Sequence, residues 1–424
     1  MRALLPEFAP EQPEPFEAVL ADLDRVVVPG LTHWQHPGWF AYFAAGSSPA
    51  AILGELAAAG LGVVPMLWST SPAATEIEAH VLDWLVDLLG VPQDWKTTAR
   101  GGGVLQSGAS LSTHAAMVVA REECRKRSGA GAETMVVYAS REAHSSVEKG
   151  ARVAGFGRIR LLETDEAFAV RPEALSAAID ADRRAGLVPA LVCSTVGTTG
   201  TNAVDPVRRI GEIARAAGLW HHVDAAYAGS AMICDEFRRH QDGLELVDSY
   251  TFNPHKWLAT TIGCSVMWVA DRRPLIEALT VLPPYLRNAA SDSGAVIDYR
   301  DWHLSLGRPF RALKLWWVLR CFGAEGLRSM IRSHVTWARW LAERIDHHPR
   351  LERIAPTPFA LVAFADRRGD QATDALVAKV NSVGRFYLTT SEVHGRRFAR
   401  IALGNTRTTR AHVDDLWDTI ESNA

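Results

Sequence analysis

Lys256 stands in Asn253-Pro254-His255-Lys256-Trp257, directly after the run from Val247 to Phe252, in which apolar residues alternate. Nearly all positive charge in the chain is carried by arginine, and there are only six lysines. A cation needed only for its solvated charge would be arginine here too. An amine that must lose its proton to react has to be lysine, because guanidinium stays protonated at working pH. Upstream, Asp224 closes His222-Val223-Asp224 and is followed by the small residues Ala225 and Ala226. Together the two residues match what pyridoxal phosphate (PLP) chemistry requires. A lysine at a strand mouth forms an imine, and an acid keeps the pyridine nitrogen protonated so that the ring takes up electrons. Taken alone, Asp224 reads at least as well as a cap at a strand-to-helix turn.

Other residues join this pair. Gly101-Gly102-Gly103, then Ser107-Gly108-Ala109-Ser110-Leu111-Ser112, lead into a helix through Ala115 to Ala120. Small residues at a helix start expose N–H groups and the positive dipole end, which suits a phosphate. An ordinary Gly-rich turn with serine caps has the same composition, and only the company of Lys256 and Asp224 favours the first reading. His144, in Ala143-His144-Ser145-Ser146, follows a strand end. It can stack on a cofactor ring and bond a substrate carboxylate, or serve as a cap or core histidine. His255 faces the same choice. Thr198 and Thr199 offer a hydroxyl to the cofactor or cap their loop. Trp34, Trp39, Tyr42 and Phe43 supply flat apolar surfaces suited to an aromatic side chain. Tyr285, in Pro283-Pro284-Tyr285-Leu286-Arg287, carries a phenol that can deliver a proton from a segment with few strand or helix signals.

These residues need a scaffold. Ser71-Pro72 starts an amphipathic helix on Ile77, Val81, Trp84, Leu85 and Leu88, which Gly90-Val91-Pro92 stops. From about residue 100 to 270, strand and helix patterns alternate. Strands are expected at Thr134 to Ala139, Arg158 to Leu162, Ala190 to Thr195, Leu219 to Val223, Ser249 to Phe252 and Cys264 to Val269. Helices are expected at Pro172 to Arg184 and Pro206 to Ala217. This order predicts an α/β fold with a mostly parallel central sheet, helices on both faces, and ligands at the strands' carboxyl ends. A Trp-rich helix and strands near Phe359 to Phe364 and Phe398 to Ala402 predict a smaller C-terminal α/β domain. The expected organisation is an N-terminal segment over 1–48, a large PLP-binding domain over 49–313 and a small domain over 314–424. A formal charge of -3 gives no reason to expect nucleic acid or membrane as partner. The first residues break into Pro and Glu before a signal peptide could form. Five scattered cysteines without metal spacing point to reduced thiols in a cytoplasm, and no metal site is expected.

In their order and spacing the motifs resemble the group II PLP-dependent amino-acid decarboxylases, most closely the aromatic-L-amino-acid decarboxylases. The likeness runs from about Phe16 to the C-terminus. It rests on Pro29-Gly30 with Thr32-His33-Trp34, Ser71-Pro72-Ala73 with Thr75-Glu76, Ala143 to Glu148, His222 to Ser230, Phe252 to Trp257, and Asp292-Ser293-Gly294 with Asp298-Tyr299-Arg300. The resemblance implies PLP-dependent fold type I, the aspartate-aminotransferase-like class. It makes Lys256 the residue that binds PLP covalently and Asp224 the partner of the pyridine nitrogen. Ala226 and His144 fall on the two ring faces, and Thr199 near the ring oxygen. Ala109, Ser110, Asn253 and His255 fall at phosphate and lysine-loop positions. Trp34, Tyr42 and Phe43 match the substrate pocket, with Val64 and Met66 contributed from the other subunit of a homodimer. Tyr285 matches the acid that protonates the α-carbon, a position at which aldehyde-forming relatives tend to carry Phe. Gly307 matches a position where Gly goes with indolic substrates, so tryptophan is the favoured small-molecule substrate, ahead of phenylalanine, tyrosine and DOPA. Against the family, which normally has an N-terminal helix that packs across the dimer, the chain begins late, which implies a dimer with less interface or a start codon placed downstream. An acidic amino acid as substrate, aldehyde synthesis or transamination on the same scaffold, and a retired scaffold remain as alternatives.

Overall fold

The computed structural model describes residues 1–281 and 296–424; Tyr285 and Asp292-Ser293-Gly294 lie outside the described residues. Seven strands make the larger sheet: β1 (Gly102–Gln106), β2 (Met135–Ser140), β3 (Arg158–Leu162), β4 (Val188–Thr195), β5 (Trp220–Asp224), β6 (Ser249–Phe252) and β7 (Ser265–Val269). Their order is β1-β7-β6-β5-β4-β2-β3. Strands β3, β2, β4, β5 and β6 run parallel, while β7 is antiparallel to both β6 and β1.

Side-chain alternation along β2 explains the layers on the two faces. Met135, Val137 and Ala139 pack with Met117, Ala120 and Cys124 of the helix Ala109–Ser128 and with Val147 and Ala151 of the helix Ser146–Val153. The intervening Val136 and Tyr138 pack with Leu175 and Ile179 of Pro172–Arg184 and with Ile210 and Ala214 of Val207–Ala217. With both faces covered, strands β1, β2, β6 and β7 are buried throughout.

The smaller sheet, β8 (Leu351–Arg353), β9 (Leu361–Asp366), β10 (Thr389–Val393) and β11 (Arg396–Ala402), is antiparallel in the order β10-β11-β9-β8. A long helix, Arg311–His347, precedes it and breaks at Gly323, whose φ of 64° suits glycine. One apolar cluster joins this helix to β9 and β11 and to Val81 and Leu85 of the helix Pro72–Leu89. That helix ends, as its sequence signals require, at Gly90 in the left-handed region. Among the described residues no helix is long and apolar enough to cross a membrane, and no metal-binding cluster is present.

One expectation needs correction. Gly101 to Gly103 do not form a loop with the serines: Gly102 and Gly103 lie in β1, paired with Val269 and Trp268. They are glycines for packing. A Cβ at Gly102 would lie 2.5 Å from the Trp302 ring, and one at Gly103 2.6 Å from that of Trp268. Strands β8 and β10 were not signalled either, since β8 has three residues and β10, Thr389–Val393, is polar.

The turn after β5 packs closely against β6. A Cβ on Gly229 would lie 2.5 Å from Phe252 Cβ and 2.8 Å from the Tyr250 hydroxyl. Gly229→Ala is therefore expected to destabilise the protein by about 1–3 kcal/mol through overpacking. The check is the denaturant midpoint of cofactor-free protein, which must fall.

Candidate active site

The carboxyl ends of the parallel strands converge on one cavity of about 220 Å³. Asp224 ends β5, Asn253 follows β6, His144 follows β2 and Thr195 ends β4. The turn Ser107-Gly108-Ala109-Ser110 reaches it from β1. Lys256 sits on the single helical turn Pro254–Trp257, and Phe43, Thr199, Ala226, Tyr227, His255 and Ile262 complete much of the wall.

Burial governs the charges. The Lys256 amine is pulled below the usual lysine range by loss of water, with Arg400 adding to the effect and Asp224 opposing it. Its Nζ lies 5.0 Å from the centre of the Phe43 ring. Asp224 is 4% exposed; its Oδ1 accepts the Ala226 N–H at 2.9 Å, and its carbonyl accepts the Val196 N–H. Among the described residues no salt bridge engages its carboxylate. A buried carboxylate left in this way is costly unless a ligand supplies a proton donor. Burial also lowers His144, against the pull of Asp224, and holds His255 down to about 4. His144 Nδ1 accepts the Ser146 N–H at 3.1 Å, which leaves its proton on Nε2.

The donor set fits PLP on structural grounds. Thr195 Oγ1 and Asn253 Oδ1 line the cavity, buried and without partners. The helix Ala109–Ser128 begins with no side-chain cap, and the space beside Gly108 is open to 4 Å, so its first N–H groups are available to an anion. A flat ring with a basic nitrogen and a phosphate satisfies the lone carboxylate, the orphan acceptor and the bare helix start together.

Of the expected residues, Phe43, Ala109, Ser110, His144, Thr199, Asp224, Ala226, Asn253, His255 and Lys256 line this cavity. Trp34 and Tyr42 stack on each other and on Trp39, at centroid distances of 4.6 to 6.3 Å, outside it. Val64, Met66 and Gly307 do not line it either. Two residues escaped sequence reasoning. Tyr227 stacks between Phe43 (4.0 Å) and Trp257 (4.7 Å), and so fixes the floor. Arg400, 4% exposed on β11, places its guanidinium 5.4 Å from the Phe43 ring, with Nε unpartnered and its pKa pulled down to about 10 by burial. An arginine inside the otherwise apolar run Phe398 to Leu403 was the available signal.

A depressed lysine makes a stability prediction. Below its folded pKa the native state must bury an ion. That cost fades as pH rises from the lowered value towards the ordinary 10.5. Lys256→Met is expected to stabilise cofactor-free protein by about 1–2 kcal/mol at neutral pH. The gain should shrink towards pH 10 in denaturant titrations, and a gain independent of pH would contradict the cause given.

Residues 1–367 match the pyridoxal-dependent decarboxylase conserved domain. The chain is 42% identical over 436 residues to phenylacetaldehyde synthase of Arabidopsis thaliana, covering 100% of this chain and 89% of that protein. It is 40% identical over 436 residues to tryptophan decarboxylase 2 of Oryza sativa subsp. japonica, with 100% and 88% covered. The crystal structure of Oryza sativa TDC with PLP and tryptamine superposes with a TM-score of 0.96 at 40% identity, covering 98% of this chain and 89% of that one. The seven-stranded sheet is accordingly that of PLP fold type I. With a cavity suited to PLP and this likeness along its whole length, the chain belongs to the pyridoxal-dependent decarboxylases, group II, and is a PLP-dependent carboxy-lyase.

Proposed function

We propose that the protein decarboxylates an aromatic L-amino acid, tryptophan first and then phenylalanine, tyrosine or DOPA, to the amine and carbon dioxide. The observation that carries this reading is the placing, in one cavity, of a half-buried lysine whose amine is pulled below its usual range with a buried carboxylate that no salt bridge engages among the described residues, against the ring of Phe43. The names of the relatives, among them a tryptophan decarboxylase, support an aromatic substrate.

In this reading Lys256 Nζ holds PLP covalently, and Asp224 takes the ring N–H. Ala226 and His144 would hold the ring between them, and Thr199 would offer it a hydroxyl. Ala109, Ser110, Asn253 and His255 serve the phosphate and the lysine loop. The bound cofactor supplies the electron sink for the pair released when the carboxylate leaves. His144, with its proton on Nε2, donates towards the substrate carboxylate and sets its direction. Phe43 and Tyr227 keep water from the reacting carbon. Tyr285, which enters on sequence position alone, then gives its phenolic proton to the α-carbon. Trp34 and Tyr42, with Val64 and Met66 from a second subunit, enclose the side chain beside Gly307.

The dimer is supported by exposed apolar residues on the helix Pro49–Leu61, with Ile52, Leu53 and Leu56 each more than half exposed. Five unpaired cysteines support a cytoplasmic location. We also take residues 49–313 as the PLP-binding domain, 314–424 as the small domain and 1–48 as a segment for the dimer contact.

The second reading is an aldehyde synthase, favoured by the likeness to phenylacetaldehyde synthase. A panel of amino acids assayed for carbon dioxide, amine and hydrogen peroxide decides between the two. Amine and carbon dioxide in equal amounts are expected with tryptophan, whereas aldehyde and peroxide from the parent protein would overturn the assignment. Lys256→Ala should lose both the visible cofactor band and turnover. Tyr285→Phe should keep cofactor and lower amine formation by on the order of 10²-fold or more, with product diverted to aldehyde. Amine production at the parental rate by that variant would remove Tyr285 as proton donor.

A further inference from the structure

A second buried charge pair lies outside the cavity. Glu78 and Arg308 are both fully enclosed. Arg308 Nη2 donates to Glu78 Oε1 at 2.5 Å and to the Leu105 carbonyl at 3.1 Å, and the same Glu78 oxygen accepts the Leu105 N–H at 2.9 Å. Both backbone groups of Leu105 are therefore fixed by one ion pair. Arg308 Nη1 points at the Pro65 carbonyl, 3.4 Å away, and the guanidinium lies 4.6 Å from the Tyr299 ring centre. Burying two ions is expensive, and apolar side chains of the same volume would fill the space without that cost. What the ions add is direction.

The direction is twofold. Leu105 lies in β1, which runs straight into the turn bearing Ala109 and Ser110 on this subunit's own cavity. Pro65 lies between Val64 and Met66, which do not line that cavity. Their segment is pinned by the same stretch of chain as Arg308: the Arg300 N–H donates to the Met66 carbonyl, and Asp298 Oδ1 accepts the Trp68 N–H, each at 2.9 Å.

We propose that Arg308 is a positioning residue serving two active sites at once. Through Leu105 it sets the phosphate turn of its own subunit, and through Pro65 it sets the Val64–Met66 wall of the other subunit's substrate pocket. This rests on the dimeric reading above. Arg308→Lys keeps the positive charge opposite Glu78, but one ammonium cannot span three acceptors in a plane.

Mixed dimers, purified through a different tag on each chain, separate the two roles. In the first arrangement Arg308→Lys and Lys256→Ala share one chain, so the live site belongs to an otherwise normal partner walled by the altered chain. Its KM is expected to rise about tenfold with kcat and PLP affinity unchanged, in proportion to the small misplacement of a positioning group. In the second arrangement Arg308→Lys sits on the live chain opposite Lys256→Ala. There PLP affinity falls while KM stays at the parental value. A general weakening of the fold would shift both quantities in both arrangements, and that result, or the reverse assignment, overturns the proposal. Should Arg308→Lys fail to assemble, Asp298→Ala, which removes the acceptor for Trp68, takes its place, with KM rising in the first arrangement only. The mass of the parent protein in solution is measured first. An active monomer would remove the dimeric reading itself, whereas a dimer with unshifted KM removes only the role of Arg308.

Discussion

Everything in this molecule answers to one electrostatic constraint: an amine has to be kept dry. Lys256 loses water to the carboxyl ends of the strands, to Phe43 and to the helical turn that carries it, and its proton becomes correspondingly easier to lose. A second cation, Arg400, deepens that effect, and the Asp224 carboxylate resists it. Ion-pairing Lys256 with Asp224 would relieve both groups and leave the amine inert. The fold gives the Asp224 carboxylate a backbone N–H instead, that of Ala226 just beyond the end of β5.

Keeping that arrangement requires a stiff floor. Phe43, Tyr227 and Trp257 stack in sequence, and the Trp257 indole N–H donates to His334 Nδ1 on the long helix at 2.9 Å. This column ties the N-terminal segment, the turn after β5, the lysine turn and the helix Arg311–His347 into one body. Phe43 reaches it only because Tyr42, just before it, takes φ of 53°, a conformation that non-glycine residues adopt at a cost. The same Tyr42 offers its carbonyl to Arg400 at 3.4 Å, so the turn places the aromatic wall and the buried guanidinium together.

How far this was legible in the chain depends on the range of each interaction. Arg158 to Leu162, Pro172 to Arg184 and Ser249 to Phe252 were readable to the residue, because periodicity and end signals are local. Lys256 and Asp224 were readable for a related reason: each polar group interrupts or ends a buried apolar run, where it is costly unless used. Arg400 was not, since the groups beside it, Thr389 and Tyr42, come from different elements, one of them far away in sequence. The pair Glu78 and Arg308 is separated by 230 positions, beyond any pattern of spacing. Gly102 and Gly103 misled because glycine signals a turn and a tight packing contact with the same letter, and only the rings of Trp302 and Trp268 distinguish the two.

The size of the cavity bears on where the substrate is read. About 220 Å³ lies below the range of ordinary small-molecule sites, roughly 300–1,000 Å³, and a ring with its phosphate takes up much of it. Outside the cavity Trp34 and Tyr42 stack on each other and are 39% and 50% exposed. Exposed aromatic surface of this kind is poor for solubility and good for gripping a flat apolar group between itself and another wall. Chemistry is concentrated in residues of one chain, close to the sheet. The exposed aromatic surfaces of Trp34 and Tyr42 lie outside that cavity.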